Sequence, residues 1–255
     1  MPKWDDLELD IWSVADLRRP GALTRIGGVL DAFDELKPDR VGSGEPVRQP
    51  LHSAASALAD KESKLDRNAS PQTAFARHEP PKMAIGWVRI ARPSPTLHPG
   101  HEIELTYQTK WFDQPQKLER LAALFKALAE ASDAFYGRVF RFTTNDRLQI
   151  PEFERELWDV HWLNYFGPGY LDHWGSHLDG LGVRRERTAN GGVIVWAAET
   201  PLEAVDREPF RATLGADMFM VGRVRRREPG ELVPSYEVHK RFAPGGELWV
   251  RGMPE

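Results

Sequence analysis

Short runs in which apolar and polar residues alternate, set apart by turn chemistry and interrupted by two amphipathic helices, constrain this chain most. Between residues 7 and 14, Leu7, Leu9 and Ile11 take alternate positions with Glu8, Asp10 and Trp12 between them, as a half-buried strand requires. Pro20-Gly21 then breaks the chain, and Leu23, Ile26, Leu30 and Phe33 recur at helical spacing opposite Arg25, Asp31 and Asp34. Residues 84–91 and 101–110 read as strands of a hairpin joined by a Pro-rich turn region. Leu118, Leu121, Phe125 and Leu128 form the cleanest amphipathic helix. Residues 136–142 and 157–166 are strand-like and aromatic, Gly167-Pro168-Gly169 ends the second run, and residues 170–174 predict a short helix.

Asn190-Gly191 tolerates positive φ, so residues 183–188 and 193–197 are expected to pair as a hairpin around it. A further helix is expected over 204–219, a strand over 221–226, and a last hairpin of 236–242 with 247–250. This order predicts an α+β fold, with a largely antiparallel sheet covered by helices rather than βαβ units of a parallel sheet. The helix-then-hairpin order recurs, which suits two pseudo-repeated halves packed as one unit. At 255 residues, one α+β domain spanning 1–255 is expected. Residues 37–81 shift to Gly, Pro and charged residues and read as a long, weakly ordered, loop-rich insertion, with a small helix near 54–65.

Charge separates the N-terminal segment from the rest. The first 36 residues carry 8 acidic and 4 basic side chains, while the remaining chain holds 30 of each, so the whole net charge of −4 lies in the first strand and helix. So balanced a remainder disfavours generic nucleic-acid binding. The acidic segment is expected to steer a basic protein partner, with Asp5, Asp6, Glu8, Asp10, Asp31 and Asp34 as the expected contacts. The absence of Cys removes disulfides, thiol nucleophiles and Cys-ligated metals. No apolar window approaches a membrane span and no basic, apolar leader opens the chain, so the sequence reads as cytoplasmic, without a membrane partner.

Motifs for chemistry are sparse. His173 and His177 are four apart, as in helical zinc sites, and His161, Asp172 and Asp179 are near in sequence; Trp174 stands where such a motif has its glutamate, and Gly175 weakens the helix. A metal-dependent hydrolase using His161, His173 and Asp172 is therefore the alternative from the enzyme class. There is no dinucleotide fingerprint, Walker A run or nucleophile elbow, so no cofactor and no catalytic residue are expected. The 9 Trp outnumber the 5 Tyr, which leaves open a carbohydrate-binding module with tryptophan platforms.

The most distinctive stretch runs from Leu157 to Gly175, with Trp158, Trp162, Asn164, Tyr165, Phe166, Gly167, Pro168, Tyr170, Trp174 and Gly175 as its signature. This Trp-Leu-Asn-Tyr-Phe-Gly-Pro run followed by Tyr-x-x-x-Trp-Gly resembles immunity protein 52, one of the immunity proteins that bacteria encode beside polymorphic toxins. The resemblance covers roughly residues 87–198, and residues 37–81 have no counterpart in it. It implies a non-enzymatic inhibitor, related to type VI secretion immunity proteins, that neutralises a cognate toxin, often a nuclease of restriction-endonuclease-like fold. The signature aromatics themselves are expected to be packing residues, because a strand normally buries one aromatic face.

Overall fold

The computed structural model describes residues 5–13, 15, 17–64, 71–90, 101–142 and 160–215 of the 255. Among these residues ten strands form one antiparallel sheet: β1 (Asp6–Ser13), β2 (Arg40–Gly42), β3 (Gln49–Pro50), β4 (Gln72–Arg77), β5 (Met83–Arg89), β6 (His101–Gln108), β7 (Ala134–Phe142), β8 (Leu163–Phe166), β9 (Arg185–Arg187) and β10 (Val193–Trp196). Their order is β3-β2-β4-β5-β6-β1-β7-β8-β10-β9, so the first strand is central, between β6 and β7. Helices α1 (Ala22–Asp31), α2 (Ala54–Glu62), α3 (Pro115–Ala131), α4 (Pro168–Trp174) and α5 (Glu208–Leu214) cover it. The fold is the expected α+β class.

Strand alternation divides the sheet into two chemically different faces. Leu7, Leu9 and Ile11 share one face with Ile103, Leu105, Val139, Leu163 and Ile194, and this apolar surface packs under α1, α2 and α3 as the main core. The opposite face is aromatic at one end. There Trp12, Tyr136, Phe166 and Val193 pack with Tyr170 and Trp174 of α4 and with Phe210 and Leu214 of α5.

The stretch 37–81 departs from the expectation of a weakly ordered excursion. It supplies β2, β3 and β4 at one edge of the sheet, together with α2. Two contacts hold it down. Thr73, Ala74, Phe75 and Ala76 of β4 are all buried, and α2 lies so close to α1 that a Cβ on Gly27 would come within 2.5 Å of the Ala55 backbone. Small residues here allow a backbone approach that periodicity does not reveal. The strand predicted over 157–166 is also shorter. Residues 157–159 lie outside the described set, and pairing starts only at Leu163, because the Asn164 carboxamide closes a bend on the His161 backbone, accepting from its N–H at 3.0 Å and donating to its carbonyl at 2.8 Å. The expected helix over 204–219 is seen as Glu208–Leu214. The elements expected after residue 215 lie outside the described residues.

Candidate functional site

On the face away from α1–α3, the central strands bring four carboxylates together. Asp10 stands between Glu104 of β6 and Arg138 of β7, and Glu8, two residues earlier, shares its face. Arg89 of β5 completes the row, its Nη1 lying 2.6 Å from both Glu102 and Glu104. Asp10 and Arg138 form a buried ion pair at 2.9 Å, with side chains 3% and 4% exposed. The Arg138 guanidinium also lies 4.4 Å from the Phe140 ring centre and 5.4 Å from that of Trp12, so aromatic faces replace part of its lost hydration.

Four carboxylates against two guanidiniums cannot all remain charged at low cost in this setting. Burial pushes the Glu8 carboxyl up to about 9, reinforced by Asp10 and Glu104. Asp10 is raised to about 7, chiefly by burial and against the pull of Arg138, and Glu104 is raised for the same first reason. Glu8 is therefore the carboxyl of the row that keeps its proton most strongly, while Asp10, raised less, divides near neutral pH between a protonated form and the charged form that faces Arg138. This row can store a proton and anchors the central strands through its ion pairs.

The expected contacts consequently separate. Asp6 and Asp10 are buried, which corrects their assignment to a partner surface: both are committed to the sheet. Glu8 is half-buried in the same row. Asp31, half-buried, is engaged within the fold as well: its carboxylate caps α2 by accepting from the Ala54 and Ala55 N–H groups at 2.7 and 3.0 Å and from the Ser53 hydroxyl at 2.7 Å. Asp5 and Asp34 are exposed, paired with Arg141 and Lys37. Strand alternation, visible in the sequence, already sets Asp6, Glu8 and Asp10 on one side of β1; it cannot tell that the neighbouring strands bury that side.

The signature stretch builds structure. Tyr165 lies under α3 and donates to the Asn190 side chain at 3.0 Å, tying β8 to the β9–β10 turn, where Gly191 has a φ of 85°. Gly167 passes within 2.8 Å of the Phe135 carbonyl at its N–H, a contact that a Cβ would obstruct. Phe166 meets Trp174 edge-on at 4.9 Å, Tyr170 stacks on Trp174 at 5.2 Å, and the Trp174 indole donates to the Leu214 carbonyl at 3.0 Å, fastening α4 to α5. Pro168 opens α4 on the surface, Gly175 follows that helix, and Trp158 lies outside the described residues.

The histidine constellation is not assembled. His161 is buried against Phe140 and held neutral by burial and by Arg138 and Arg207, whereas Asp172 and His173 are exposed on α4. No group of three or more His, Cys, Asp or Glu among the described residues is placed to hold a metal ion. Of the described tryptophans, Trp12, Trp162, Trp174 and Trp196 are buried, and Trp87 and Trp111 lie half-buried beneath Arg89 and Lys117, so none forms an open platform.

The sequence did not point to a cleft of about 750 Å³ on the helix side of the sheet. It opens between the start of α3, residues 182–184, and residues 196–202, which run from the end of β10. Trp162 and Trp196 lie in its floor, and its rim carries Asp113, Glu119, Arg184 and Glu199 beside Leu202, which is 58% exposed. Four segments distant in sequence contribute, so no local motif marks it.

An all-antiparallel ten-stranded sheet with helices packed on it defines an α+β protein. Its fold is similar to that of the solved Pseudomonas aeruginosa type VI secretion system (T6SS) protein PA0821, with a TM-score of 0.60 at 14% identity over 94% of this chain and 82% of that one. No family model matches the chain. No curated protein matches it. No helix among the described residues is long and apolar enough to cross a membrane.

Proposed function

We propose that this chain is an immunity protein of a bacterial polymorphic toxin system, which binds a toxin delivered by type VI secretion and neutralises it without chemistry of its own. The observation that carries this reading is the fold shared with a T6SS protein along 94% of the chain, joined to the signature at residues 157–175. The toxin is expected to be a nuclease of restriction-endonuclease-like fold, as the resemblance implies, and the site of action the cytoplasm of the cell being protected.

Co-expression with the protein encoded by the adjacent reading frame tests it. The expected result is that this chain restores growth of cells made sick by the neighbour and that the two proteins elute as one complex. Failure of both rescue and co-elution would sink the proposal.

A further inference from the structure

We propose that the cleft between α3 and the 196–202 segment is a docking site for a basic-apolar segment of a partner protein, an Arg or Lys side chain next to a large apolar one. The inference rests on the reading of this chain as a protein-binding inhibitor and adds which surface engages.

Volume comes first. At about 750 Å³ the cleft falls within the range that holds compact ligands, and a second hollow of about 340 Å³ shares Glu119 and Trp196 with it, extending the surface along α3. An extended segment of a few residues suits such a trough.

Charge selects the occupant. The two hollows are lined by five carboxylates, those of Asp113, Glu119, Glu130, Glu186 and Glu199, against the cations Lys126 and Arg184. Lys117, which pairs with Asp113 at 2.7 Å, still leaves two negative charges in excess. Strand alternation maintains this sign, because Glu186 lies on the helix side of β9 opposite Ile194, while Arg185 and Arg187 face the other way. Among these groups the Glu199 carboxylate makes no hydrogen bond or ion pair with the described residues, so it is open to a cation from outside. A guanidinium already suits the cleft wall: Arg184 lies 4.1 Å from the Trp196 ring centre, with Glu119 as its counter-ion.

Apolar chemistry completes the match. Leu202 is the one large apolar side chain that stands exposed among the described residues, and it is on this rim. A partner's apolar side chain would cover it while the neighbouring cation meets Glu199.

Fluorescence polarisation of the full chain with a labelled Leu-Arg-Phe-Arg amide, compared with Leu-Glu-Phe-Glu amide, reads this directly. The basic peptide is expected to bind at least tenfold more tightly than the acidic one, and Glu199→Lys to weaken it about fivefold, as loss and reversal of a rim charge allows. Leu202→Ser is expected to weaken it too, while Glu79→Lys, an exposed change outside the cleft, leaves it unaltered. All three positions lie at the surface, so the variants remain folded. No binding of the basic peptide, equal binding of the acidic one, or indifference to both rim variants overturns the proposal. If the peptide binds through this rim yet co-expression neither rescues growth nor yields a complex, the immunity reading fails alone. If co-expression rescues growth and the rim variants alter neither rescue nor peptide binding, the cleft proposal fails alone.

Discussion

Asp10 of β1 and Arg138 of β7 face each other in the middle of the sheet and share a 2.9 Å hydrogen bond with both side chains almost out of contact with water. Removing one partner leaves the other charge buried. Asp10→Ala is expected to lower unfolding free energy by about 3–5 kcal/mol, measured by urea denaturation. Replacing both residues by apolar ones, Asp10→Leu with Arg138→Met, is expected to regain much of that loss. A loss below about 1 kcal/mol for Asp10→Ala, the scale of an exposed pair, would show that the charges are not buried in solution.

Proton storage in the same row has a sign that can be measured. Glu8 binds its proton more tightly in the folded chain, at about 9 against an ordinary 4.5. Its stabilising contribution is therefore full below about pH 4.5, and it declines as pH rises towards 9. With allowance for its partial exposure, about 1–2 kcal/mol should disappear across that window. Glu8→Gln keeps a neutral donor towards Asp10, so its melting temperature should fall less steeply between pH 5 and pH 9 than that of the native chain. Parallel profiles for the two proteins would remove Glu8 as the proton holder.

α1 and α2 cap each other. Asp31 at the end of α1 accepts from the first N–H groups of α2, and Glu62 at the end of α2 accepts from the Leu23 N–H at 3.3 Å and the Thr24 hydroxyl at 3.0 Å at the start of α1. Asp31→Ala removes three such bonds and is expected to cost about 1–2 kcal/mol, with Asp31→Asn costing less. The complementary measurement is partner binding: folded Asp31→Ala should retain its affinity, because the carboxylate is already engaged by Ser53, Ala54 and Ala55 at the start of α2.

Gly27 tests the helix contact that orders the 37–81 stretch. A Cβ there would meet the Ala55 backbone at 2.5 Å, so Gly27→Ala must move α2 away from α1. The expected loss is about 1–3 kcal/mol, against the usual gain from replacing Gly by Ala inside a helix. Gly28→Ala, with open space at its Cβ, should be neutral or stabilising by comparison. Equal effects at the two positions would mean that the helices do not approach this closely.

Much of the fold was legible because periodicity is a local property. Leu7, Leu9 and Ile11 identify a strand, and Leu118, Leu121, Phe125 and Leu128 a helix, without reference to any distant residue. The Asn190-Gly191 turn was legible for the same reason, as positive φ is paid for by the residue itself. The candidate contacts were less so. Asp5 and Asp10 look alike in the sequence, yet one is exposed beside Arg141 and the other buried against Arg138, because the neighbour that decides burial arrives more than 120 residues later.

Local pattern, then, determined by itself the α+β class, the main helices and the two-sidedness of β1, since side-chain alternation follows from backbone geometry alone. Only the tertiary structure decided that β1 lies in the centre of ten described strands, that the acidic side of that strand is a largely buried, ion-paired row whose carboxyls are pushed towards their protonated forms, and that four remote segments enclose an acidic, aromatic-floored cleft. Burial and electrostatics are set by which strands pair, and pairing is a long-range choice that no single window of sequence contains.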